Sequence, residues 1–83
     1  MKDYLVQELW GSIFSDDIPI KANNNQDCIK KYLKHRNILK RAVYDSKKNH
    51  IQNSSQVICV QKARIEGDIR YISGKRYFYK LVD

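Results

Sequence analysis

Proline, glycine and cysteine are scarce in this chain, with one, three and two copies among 83 residues, and each scarcity excludes something. Two cysteines, Cys28 and Cys59, are too few for a disulfide-stapled secreted scaffold, so both are read as reduced thiols packed among apolar neighbours. Together with His35 and His50 they are spread evenly, without the two-to-five-residue spacing of structural zinc ligands, and no metal is expected. Gly67 and Gly74-Lys75 do not make a phosphate loop: six residues separate the glycines where four are required, and Arg76 stands where a Ser or Thr should be. No apolar run exceeds the four residues 57–60, far short of the roughly 20 that span a bilayer. The opening residues carry no apolar stretch of signal type, so a cytoplasmic location is expected and the Asn53-Ser54-Ser55 sequon is without consequence. A domain this short has a radius of gyration of roughly 12 Å, with little room for a cleft holding both cofactor and substrate. Hence no cofactor is expected.

What the chain does have is positive charge in one place. Residues 1–28 hold two basic and five acidic side chains, net −3, whereas residues 29–83 hold fourteen basic and four acidic ones, net +10. The block from 30 to 48 contains Lys30, Lys31, Lys34, Arg36, Lys40, Arg41, Lys47 and Lys48, opposed only by Asp45. A face kept merely soluble mixes both signs and uses Glu–Lys pairs four apart, but this block has no Glu. Such a field attracts polyanions, nucleic acid being the commonest. A membrane surface is disfavoured, because the apolar residues beside these lysines include no Trp or Phe.

Leu5, Val6, Leu9, Trp10, Ile13 and Phe14 recur at spacings of one and four, which predicts an amphipathic helix over 2–14 with Trp10 in the core. The residue before Pro19 is pushed to an extended conformation, giving a short edge strand at 18–21. Asn23-Asn24-Asn25 supplies an N-cap for a helix at about 26–33, and a polar break at 34–37 separates it from another at about 37–48. The last third is β-prone, with strands expected at about 56–65, 69–72 and 76–82, either as a meander or as two long strands flanking a basic excursion. The expected fold class is a single α+β domain, N-terminal helices followed by an antiparallel hairpin or meander.

Helix, short strand, helix, turn, helix and basic hairpin is a layout that resembles the winged helix-turn-helix DNA-binding regulators, and the spacing of Cys28, Tyr32, Leu39, Ala42 and Val43 is similar to their helix-to-helix contacts. The resemblance implies a small transcriptional regulator that binds double-stranded DNA, with no catalytic residues. The 37–48 helix would enter a major groove and present Asn37, Lys40, Arg41, Tyr44 and Lys47. Arg41 would fork to guanine and Asn37 pair with adenine, while Arg36, Lys48 and the other lysines would sit on phosphates. The hairpin would add Arg70, Lys75 and Arg76. A module this small is expected to double its contact area as a homodimer, through the first helix or the Tyr-rich strand.

Two other classes fit the same residues. A protein-interaction module or inhibitor of mobile-element type would turn its basic face to an acidic or nucleic-acid-handling protein partner; richness in Lys, Ile, Asn and Tyr suits the AT-rich codons of phages and plasmids. Joint exposure of Tyr77 and Tyr79 would favour such a partner surface or stacking on single-stranded nucleic acid. A metal-independent ribonuclease would use His35 or His50 as general acid or base and Arg36, Arg41 or Arg76 to stabilise a phosphorane. An enzyme is the least favoured of the three.

Overall fold

The computed structural model describes residues 1–10, 13–45 and 56–83, apart from the Trp10 side chain. The expectations for Lys47, Lys48, His50 and the packing of Trp10 fall outside the described residues.

The described chain is mostly antiparallel sheet with one short helix: β1 (Lys2–Trp10), β2 (Ile13–Phe14), β3 (Ile18–Ala22), α1 (Asn25–His35), β4 (Arg41–Tyr44), β5 (Val57–Glu66) and β6 (Ile69–Val82). The sheet runs β2-β1-β5-β6-β4, and β3 pairs with β1 beyond the short β2 hairpin. The expected α+β layout with N-terminal helices is therefore wrong, and with it the winged helix-turn-helix arrangement.

Residues 2–10 and 13–14 form strands in place of the expected helix, and a spacing of four lands on one side of a strand as well as on one side of a helix. The i,i+4 pairs therefore did not discriminate between the two. β1 is a central strand, and its two faces bury Tyr4 and Val6 on one side and Leu5 and Leu9 on the other. Being inside the sheet, it cannot serve as the dimer surface expected of a first helix.

Cross-strand partners share a face. Val6, Ile58, Val60, Tyr79 and Leu81 lie on the face covered by α1, where Cys28, Ile29 and Tyr32 complete the main core. On the opposite face Leu9, Val57, Cys59 and Phe78 form a second cluster. Glu8 points to the helix side and is buried. Its Oε2 accepts the Tyr32 hydroxyl at 2.5 Å and its Oε1 accepts Arg36 Nη2 at 3.4 Å, which offsets the cost of taking a carboxylate out of water.

The helix is defined at both ends. Asn24 Oδ1 accepts the Asp27 N–H at 2.8 Å, and Asp27 Oδ2 accepts the Asn23 N–H at 2.9 Å. At the other end Asn37 adopts the left-handed region at φ 55, the Ile38 N–H reaches Leu33 O, and the Asn37 N–H reaches Lys34 O. That is a Schellman stop, with Ile38 and Leu33 both packed against the main core. Hence the expected second helix at 37–48 does not begin. Its supposed first residue ends α1, its supposed core residue Leu39 is 100% exposed, and residues 41–44 form an edge strand on β6.

β5 and β6 make one long hairpin in place of a meander. The Gly67-Asp68 loop starts with Gly67 at φ 59, as a two-residue turn with glycine first requires. Register jumps between Gln61↔Arg76 and Ala63↔Ile72, so Ser73, Gly74 and Lys75 face the single residue Lys62. A Cβ on Gly74 would stand 3.0 Å from Lys62 Cβ, and Gln61 Nε2 donates to Gly74 O at 2.8 Å, so the bulge is both made possible by glycine and tied down.

Candidate nucleic-acid interface

Between the outer side of α1 and the edge strand β4 runs an open groove of about 380 Å³. Ile29 and Leu33 from the helix and Ala42 from the strand give it an apolar floor, with Lys30 and Lys40 beside it, Arg41 on its rim at the strand edge, and Tyr44 and Tyr79 at one end. Among the described residues no carboxylate lines it. Its geometry follows from local sequence. In α1 the inward stripe Cys28, Ile29 and Tyr32 turns Lys30 and Lys34 outward, one turn apart. The Schellman stop then returns the chain past Lys40 into β4, which β6 holds in place through Arg41↔Val82 to Tyr44↔Tyr79.

The aromatic end is ordered by packing. Tyr79 is buried, its phenol pushed to a higher pKa by that burial and partly compensated by a hydrogen bond with Asn25, so it stays neutral and fixed. Tyr44, its cross-strand partner, leans on it at 5.6 Å between ring centroids and on Tyr77 at 6.1 Å, in tilted geometry. Tyr44 remains 55% exposed and Tyr77 36%, against 7% for Tyr79. Tyr77 and Tyr79 are thus not exposed together; the exposed aromatic pair is Tyr44 with Tyr77.

The site residues expected from sequence divide into separate groups. Lys40, Arg41 and Tyr44 come together, on β4 and the residue just before it and not on a recognition helix. Asn37 is spent on the helix stop, and Arg36, at the helix C-cap, holds Glu8. Arg70 pairs with Asp17 at 3.0 Å beside β3, and Arg76 crosses the face opposite the helix to sit 5.0 Å from the Phe14 ring centroid. Lys75 is in the bulge. The hairpin cations therefore do not extend the groove. Lys30 is the groove residue that the sequence-derived site omits, although its place opposite the Cys28, Ile29 and Tyr32 stripe marks it as outward-facing.

For catalysis, Arg76 and His35 do not share a site: His35 is exposed in the last turn of α1 and Arg76 lies across the sheet. Burial pushes the Cys28 thiol to about 12 and the Cys59 thiol to about 11, leaving both protonated and poorly nucleophilic at neutral pH. Among the described residues no group of three or more His, Cys, Asp or Glu could hold a metal ion, and no helix is long and apolar enough to cross a membrane. Comparison with known protein families, curated proteins and solved structures finds no match, so the groove carries the functional reading alone.

Proposed function

We propose that the protein binds nucleic acid through the groove between α1 and β4, with Lys30, Lys40 and Arg41 on phosphates. The observation that carries this reading is that three cations border an apolar-floored groove lined by no carboxylate among the described residues. Several arginines and one lysine elsewhere are engaged in ion pairs, Arg64 with Glu66, Arg70 with Asp17, Arg36 with Glu8 and Lys31 with Asp27. Three cations around one concave surface concentrate positive potential where a phosphodiester chain can reach all of them. With residues 41–44 in a strand in place of a helix, the contact rests on the edge of the sheet and the flank of α1, not on a helix laid in a major groove.

The test is fluorescence anisotropy of labelled nucleic acid over a range of salt. The triple variant Lys30→Glu, Lys40→Glu, Arg41→Glu is compared with Lys2→Glu, Lys62→Glu, Lys75→Glu, which changes the net charge equally. Loss of three phosphate contacts on a single strand flattens the log–log salt slope by about 2 and weakens binding at least about tenfold. The comparison variant should keep most of its affinity. Equal losses in the two variants would show that net charge, and not this groove, attracts the ligand.

A further inference from the structure

Resting on the nucleic-acid reading, we infer that the groove takes single-stranded nucleic acid, with an unpaired base stacked on Tyr44 and its neighbouring phosphates on Lys30, Lys40 and Arg41. Tyr44 lines the same groove as the three cations. Its ring is more than half exposed, yet it is backed by the buried Tyr79 and flanked by Tyr77. A ring braced in this way loses little rotamer freedom when a ligand arrives, which is what makes a stacking platform effective.

Stacking on that ring also decides the form of the ligand. In a duplex each base has both faces covered by its neighbours, so only an unpaired base can offer a face to Tyr44. The groove, about 380 Å³, is within the size range of sites that hold a small ligand. An aromatic platform beside cations on a strand edge is the combination by which single strands are bound with little regard to sequence. Sequence tolerance follows here as well, because among the described groove side chains Gln26 is the only amide available to read a base edge. Phosphodiester and unpaired base are shared by DNA and RNA, so both are tested.

The experiment uses the full chain and anisotropy with labelled strands of about 12 nucleotides, the length scale of single-strand sites. The probes are oligo-dT, oligo-rU, an abasic strand of equal length and a blunt duplex. The proteins are wild type, Tyr44→Phe, Tyr44→Leu and the groove triple-charge variant, each checked for an unchanged melting transition. Wild type should bind a based strand about tenfold tighter than the abasic strand or the duplex. Tyr44→Leu should remove that preference while Tyr44→Phe keeps it, and the tighter of oligo-dT and oligo-rU shows whether the DNA or the RNA strand is the better ligand. Duplex or abasic binding as tight as the based strand, or no effect of Tyr44→Leu while the charge variant still loses affinity, would overturn the stacking inference and leave the groove reading standing. No binding to any probe, or a charge variant equal to wild type, would overturn the nucleic-acid reading itself.

Discussion

The groove and the hairpin arm carry the same kinds of side chain and use them differently. In the arm, Arg64 pairs with Glu66 and covers the Tyr71 ring at 4.6 Å, Arg70 reaches Asp17, and Arg76 covers Phe14. In the groove, none of Lys30, Lys40 and Arg41 is within ion-pair distance of a carboxylate among the described residues, Lys30 acting on Asp27 only at longer range, and Tyr44 presents a ring that no described cation covers. A cation that already has a local partner must lose it before it can bind anything else, whereas an unpaired one is free to do so. Counting charge along the sequence does not separate the two. The comparison shows that the arginines of the arm spend their charge on local partners, while the groove leaves its charge available.

The comparison can be broken most forcefully at the element both regions depend on. Glu8→Ala leaves the buried Tyr32 hydroxyl without its acceptor and frees Arg36, and should cost about 2–3 kcal/mol of stability. Urea unfolding measures it, and a loss below about 0.5 kcal/mol would mean the carboxylate is not holding the helix. A smaller and sharper contrast sets Arg70→Ala against Lys40→Ala. The Arg70–Asp17 pair is about one-third exposed on each side, so its loss should lower stability by about 0.2–1 kcal/mol and leave nucleic-acid affinity unchanged. Lys40→Ala should do the opposite, weakening binding with no shift in the melting transition. If Arg70→Ala proved the more damaging to binding, the division between the two regions would be reversed.

The smallest effect concerns the N-terminus of α1. The Asn23 N–H, and then Lys31, hold the Asp27 carboxyl below its usual range. A depressed carboxyl contributes stability that is present above the ordinary carboxylate pKa and is lost as the pH falls through the lowered one. Thermal melts at falling acidic pH should therefore show a decline in wild type that is smaller in Asp27→Asn, and identical profiles would remove Asp27 from the account of the helix start.

Part of this was legible in the sequence. Asn24 before a run with Asp27 in the first turn reads as a helix start, and the apolar 57–60 run reads as a buried strand. β1 was not legible, because its spacing of four serves helix and strand equally and because, buried on both faces, it lacks the alternation of a half-exposed strand. The sequence offers a polar break at 34–37 but not the return into a strand after it, because a non-glycine residue takes the left-handed position, supported by hydrogen bonds to Lys34 and Leu33 that depend on the finished helix. Lys40, Arg41 and Tyr44 read from the sequence as one helix face, and the structure places them together on β4 and the residue just before it. Lys30 joins them only because the chain turns back there, which no local pattern records.

The carboxylate of Glu8 ties the last turns of α1 to β1, while the opposite wall of the groove is β4, which hangs on β6 at the far end of the sheet. The two walls are thus the jaws of a calliper whose beam is the run of β5 and β6 between them. Three steps of about 4.8 Å separate β1 from β4. Any change in how β5 and β6 twist against each other opens or closes the jaws without altering a groove residue, so the setting of this opening belongs in part to β5, a strand that lines none of it.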